Sequence, residues 1–404
     1  MKKIFLLCIA ALSISAIPKM IEKLGIREGC CPDFLAGISR IAKGKTRSED
    51  EKDGAKPMPD ENQFFNHFGY SPTIELFMYW QSWAKGDELF PKMDRPETFL
   101  PRLRKRLNEQ GIEIKSWEID RYRNSLLSWE TVANFKDAWH WCFPPKIEPG
   151  ESKWVFWSLG PVLKKMRLSG VPKEKMVLFL WEPPTVEKEG YDPEVQKLFG
   201  KIYTWNDDLV DGVKFFKFYY PELREKQTAP VPFEEKKLCT MVATRLSSKH
   251  PNQLYSEREK VIRFFEDKSD LFDLYGRGWE KKQFVNWKGT IPDKIETIKN
   301  YKYSICYENM RDVPGYITEK IFDCFAAQNV PVYWGASNVA EYIPIDCFID
   351  RRKFKDEEEL LHFLQKLGEK EYNGYLERIA AFQKSDQAKL FSIGHFIETF
   401  LTVY

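Results

Sequence analysis

Apolar positions along the chain follow two alternating periods. Phe99, Leu100, Leu103 and Leu107 recur at three- and four-residue spacing, which predicts a helix with one buried face that ends before Gly111. Ile112 and Ile114 then open a strand. Residues 154–157, 176–181 and 202–205 are short, nearly unbroken apolar runs, the pattern of parallel strands buried on both faces. A second series follows the connection at 227–237, where Pro230 and Pro232 interrupt any regular element. It predicts strands at 238–244, 272–276, 303–307 and 330–334. Helices are expected at 256–265, 293–300 and 318–327. Two successive series of this kind predict an α/β fold of two doubly wound domains facing each other across a cleft.

The segments outside these series set the domain limits. Met1-Lys2-Lys3 precedes an apolar stretch from Ile4 to Ile17, so residues 1–27 have the form of a signal or membrane-docking segment. That stretch is short for a spanning helix, which needs roughly 20 residues. Residues 28–63 read as a charged linker or stem, with Pro and Gly concentrated at 43–62. The first α/β domain is placed at 64–226 and the second at 238–371. A C-terminal segment at 372–404 is expected to pack back across the cleft as a helix.

Composition removes several function classes. With 62 basic and 60 acidic residues the net charge of +2 gives no field for nucleic acid. None of the 8 cysteines lies in a Cys-x-x-Cys pair, and the 5 histidines lack ligand spacing, so a structural zinc site is not expected. Cys239, Cys306, Cys324 and Cys347 fall inside apolar runs and are expected in the core.

The chemistry concentrates at Cys306-Tyr307-Glu308-Asn309 followed by Gly315-Tyr316-Ile317-Thr318-Glu319-Lys320. A strand stops at polar groups, a Pro/Gly turn follows, and a helix opens with an acid beside a base. Strand, turn and helix N-terminus form an anion-binding arrangement, because free N–H groups and the helix dipole point at the ligand. Ser256-Glu257-Arg258-Glu259 has capping-box form, which puts the Arg258 cation in a first turn where a bound anion would favour it. Arg245 and Lys249 in the preceding loop are weaker candidates. Glu182 ends an apolar run just before Pro183-Pro184, so its carboxylate is expected to project into the crevice at the carboxyl end of a strand. Trp181 and Trp205 are equally compatible with flanking a ligand or packing in the core.

The block from Cys306 to Lys320, with Pro331-Val332-Tyr333-Trp334-Gly335-Ala336 downstream, resembles the GDP-fucose-dependent α1,3/4-fucosyltransferases, glycosyltransferase family 10. The resemblance is strongest over 300–350. Tyr307 stands where a phenylalanine is common. The resemblance implies a GT-B arrangement and inverting transfer of L-fucose from GDP-fucose to a GlcNAc or Glc hydroxyl of an acceptor oligosaccharide. It assigns donor binding to Arg258, Asn309, Tyr316, Glu319 and Lys320, and catalysis to Glu182 as general base and Glu319 at the fucose ring. No Asp-x-Asp motif is present, since Asp207-Asp208 is adjacent, and no obligatory metal is expected. Membrane association is expected through the N-terminal segment, at the cytoplasmic face in a bacterium or in the Golgi of a eukaryote. Another nucleotide-sugar donor, or a non-catalytic glycan-binding relative, remains open on the residues alone.

Overall fold

The computed structural model describes residues 73–78, 99–118, 153–157, 172–224 and 227–403. The N-terminal apolar segment and the charged stem lie outside them. Among the described residues the first sheet contains β1 (Thr73–Met78), which precedes α1 (Phe99–Glu109), β2 (Glu113–Glu118), β3 (Lys153–Trp157), β4 (Met176–Leu180), β5 (Lys201–Thr204) and β6 (Phe215–Lys217). Every pairing is parallel, in the order β2-β1-β3-β4-β5-β6.

The second sheet begins with β7 (Lys237–Val242). The chain continues through α2 (Tyr255–Phe264), β8 (Phe272–Tyr275), α3 (Lys294–Ile298), β9 (Tyr301–Tyr307), α4 (Glu319–Ala326), β10 (Val330–Trp334) and β11 (Ile349–Asp350). Strand order is β11-β10-β9-β7-β8, again parallel. The chain reverses its direction of travel between β7 and β9, so the crevice for a ligand opens at the carboxyl ends of these two strands.

Burial on both faces explains why β9 is mostly apolar from Tyr303 to Tyr307. Tyr303, Ile305 and Tyr307 join the core under α2 and the later helix α5 (Glu357–Lys366), while Cys306 joins the core under α4. The four cysteines at 239, 306, 324 and 347 are buried free thiols, as expected for small core residues.

The C-terminal segment departs from a single helix. Here α6 (Glu369–Gln383) packs on the second sheet through Tyr372, Ile379 and Phe382. Only α7 (Ile393–Leu401) crosses to the first, where Phe396 and Phe400 pack against Phe179 at ring-centroid distances of 6.0 and 5.4 Å. The architecture is therefore α/β, two parallel sheets in the GT-B arrangement, with their carboxyl ends turned toward each other and α7 as a strap.

Among the described residues, three strands were not foreseen. β6 and β11 have three and two residues, too short for a period to show. β1 carries Glu75 inside an otherwise apolar run.

Candidate active site

The polar residues after β9 organise the crevice. Glu308 is fully buried. Its two carboxylate oxygens accept from the Thr318 backbone N–H at 2.9 Å and the Thr318 hydroxyl at 2.7 Å. The Lys320 ammonium lies 3.2 Å from the same carboxylate. A buried charge is tolerable when paired and hydrogen-bonded in this way.

This arrangement determines how α4 begins. Thr318 is its N-cap residue, yet its side chain caps no backbone N–H, because the hydroxyl is committed to Glu308. The first-turn amides of α4 thus carry no side-chain cap, which leaves them available to an anion. Lys320 reaches back over the same end, with Nζ 3.0 Å from the Thr318 hydroxyl and 3.2 Å from Glu319. Burial lowers the Lys320 pKa, but Glu308 and Glu319 outweigh it, so the ammonium is held above its usual range. For Glu319 burial works upward, and Lys320 and Lys294 overcome it, which brings its carboxyl down to about 2.

Arg258 approaches from α2. It is buried, and Nη2 donates to the Tyr307 carbonyl at 2.7 Å and to Asn309 Oδ1 at 2.9 Å. Among the described residues no carboxylate lies within ion-pairing distance of it. Burial pushes its pKa down, and the charges of Tyr255, Glu308, Tyr316 and Glu319 only partly offset this. The local reading of α2 needs correction. The helix starts at Tyr255 with Leu254 at the N-cap, so Ser256 and Glu259 do not form the expected capping box. Gln253 takes that role, accepting from the Ser256 N–H at 3.0 Å. Arg258 therefore lies two residues deeper in the helix than its sequence pattern suggested.

Across the crevice, Glu182 follows β4 and is partly buried. Its backbone carbonyl accepts from the Tyr191 hydroxyl at 2.9 Å, which fixes the strand end. Burial raises the Glu182 carboxyl to about 7; Lys320 opposes the shift, while Glu319 and Glu187 add to it. These influences place Glu182 within electrostatic reach of the α4 N-terminus. Among the described residues its carboxylate has no hydrogen-bond donor, so it is available to a substrate.

The remaining candidates separate by burial. Tyr316 packs in the contact between the two units, 4.5 Å from Trp205 and 6.3 Å from Tyr220 by ring centroids. Trp205 is fully buried and Trp181 stacks on Phe218 at 5.4 Å, so both are packing residues. Arg245 is exposed, donating to Gln283 at 3.0 Å and lying 3.9 Å from Glu259. Lys249 is exposed. The structure thus places Glu182, Glu319, Lys320 and Arg258 within electrostatic reach of one another, with Asn309 bonded to Arg258 and Tyr316 buried against Trp205.

Sequence reasoning missed Glu308 as an organiser. Its signal was a carboxylate directly after a buried, largely apolar strand. It also missed a buried cluster behind α4, in which Asp323 pairs with Arg224 at 2.9 Å and Lys294 at 3.0 Å.

Comparison with known proteins gives three findings. Residues 234–392 match the model described as glycosyltransferase family 10 (fucosyltransferase), C-terminal part. The α-(1,3)-fucosyltransferase FucT of Helicobacter pylori is 32% identical over 89 residues, 22% of this chain and 18% of that protein. The 4-galactosyl-N-acetylglucosaminide 3-α-L-fucosyltransferase 9 of Mus musculus is 30% identical over 139 residues, 34% of each protein. The matched part thus spans between 18% and 34% of the length of these relatives. A crystal structure of an α1,3-fucosyltransferase superposes with a TM-score of 0.49 at 16% identity, covering 82% of this chain and 90% of that one. The family match contains Arg258, Asn309, Tyr316, Glu319 and Lys320; Glu182 lies outside it.

Proposed function

Residues 234–392 belong to glycosyltransferase family 10, and on that premise we propose that the protein transfers L-fucose from GDP-fucose to a GlcNAc or Glc hydroxyl of an acceptor glycan, in an α1,3-type linkage with inversion. The observation that carries this reading is the buried Arg258 guanidinium, without a carboxylate partner among the described residues and within electrostatic reach of Lys320 at the uncapped N-terminus of α4. A diphosphate is the ligand that satisfies all three.

In the proposed reaction the acceptor oxygen attacks C1 of fucose from the side opposite the nucleotide. The C1–phosphate oxygen bond breaks, and the bonding pair leaves with the β-phosphate of GDP. Glu182 takes the hydroxyl proton as the new bond forms, so general-base catalysis falls to a carboxylate poised near neutrality. Lys320, Arg258 and the α4 amides hold the growing charge on the leaving diphosphate, which they bind more strongly in the transition state than in the ground state. Glu319, ionised throughout, faces the oxocarbenium character at C1 and the sugar hydroxyls. Asn309 holds Arg258 in place. These cations perform the neutralisation that a metal performs elsewhere, so transfer proceeds without an obligatory metal.

No helix among the described residues is long and apolar enough to cross a membrane. Membrane association, if residues 1–27 supply it, is tested by fractionation with and without that segment. The transfer itself is tested by a screen of nucleotide sugars, read as acceptor-dependent nucleotide release with and without chelator. Release from GDP-fucose that survives chelation supports the reading. Preference for a different donor, or release abolished by chelator, overturns the corresponding part.

A further inference from the structure

One adjacent pair of acids is not used by the reaction, and one of them joins the two units. Asp207, just after β5 in the first unit, sits against the turn that leads from β9 into α4 in the second. One carboxylate oxygen accepts from Lys217 Nζ, which also donates to the Trp205 carbonyl at 2.6 Å. The other accepts from Asn338 Nδ2 at 3.0 Å and from the Tyr342 hydroxyl at 2.9 Å. The Asp207 N–H donates to the Pro314 carbonyl at 3.3 Å. Asn338 completes the circuit, because its Oδ1 accepts from the Gly315 N–H at 2.9 Å.

Gly315 shows how tight this junction is. Its φ of +82° suits glycine, and a Cβ there would lie 2.3 Å from the Trp205 carbonyl oxygen, 2.5 Å from Lys217 Nζ and 2.9 Å from Asp207 Oδ1. The next residue, Tyr316, rests on Trp205. Three residues beyond Gly315 comes Thr318, which Glu308 holds from below. The turn is therefore gripped from both sides, by Glu308 within its own unit and by Asp207 from the opposite one.

We propose that Asp207 is a positioning residue: with Lys217, Asn338 and Tyr342 it clasps the 312–318 turn to the first unit, and so sets where Glu319 and Lys320 stand relative to Glu182. Asp207 touches no substrate in this account; it acts through the turn. The kinetic consequence rests on the transferase reading above, whereas the structural consequence does not.

Asp207→Asn removes the Lys217 ion pair and leaves one accepting oxygen for three donors. Asn338→Ala removes the Gly315 contact independently. In both, hydrogen exchange at the Gly315 amide and its neighbours is expected to rise about ten-fold or more while β5 and α4 keep their protection. GDP affinity, measured by calorimetry, should change by less than about three-fold, because Arg258 and Lys320 remain. The kcat should fall about 10–100-fold, the scale of a small misplacement of reacting groups. The double variant should be little worse than either single one, since both open the same circuit. Unchanged exchange at Gly315 overturns the clasp. Faster exchange with unchanged kcat overturns the positioning role. If wild-type protein turns over no nucleotide sugar, the transferase reading fails instead, and the exchange measurement alone decides the clasp.

Discussion

The Glu182 carboxyl is raised to about 7 from an ordinary value of 4.5, chiefly by burial. A base works only when ionised, so kcat should climb about ten-fold per pH unit below about 7 and level off above it. A profile flat from pH 5 to 8 would remove Glu182 from the proton transfer. The same shift bears on folding. The folded protein holds the Glu182 proton more tightly than the unfolded chain, so this group erodes stability as pH rises from its unfolded value towards about 7. Glu308 is a buried acid fully engaged by Thr318 and Lys320. Glu308→Ala strands those partners and should cost about 3–5 kcal/mol in denaturant unfolding. A loss below about 1 kcal/mol would show that the network holds without it.

At the scale of elements, α7 ties the chain's last residues to the first sheet. Phe396 and Phe400 are fully buried against Phe179, and Trp181 and Phe218 also contact Phe396. Phe396→Ala should lower unfolding stability by about 3–5 kcal/mol, the usual cost of a large cavity in an aromatic core. A change under about 1 kcal/mol would mean that the strap contributes little. Elements such as β4, β9 and α4 were legible in the sequence because burial on both faces gives a largely apolar run and amphipathic burial gives a 3.6 period. The positions of Glu182 just after β4 and of Lys320 in the first turn of α4 were legible for a related reason, since each lies where such an element ends or opens. The start of α2 was misread because Gln253 supplies its cap from outside the helix, a contact that the Ser256–Glu259 spacing conceals. Glu308 and Asp207 were not legible as organisers. The role of Glu308 depends on complete burial, and that of Asp207 on a partner 131 residues away.

In the whole molecule, two parallel sheets present different chemistry to one crevice. In the proposed reaction the second unit offers Arg258, Lys320 and the free end of α4 to an anion, and the first offers the Glu182 carboxylate, which has no hydrogen-bond donor among the described residues. That division predicts that binding and turnover can be separated by one substitution. The direct measurement is Glu182→Gln, assayed for GDP affinity by calorimetry and for fucose transfer under single-turnover conditions. The account predicts GDP affinity within about three-fold of wild type and a transfer rate lower by about 10²–10⁴-fold. Transfer at the wild-type rate would contradict it.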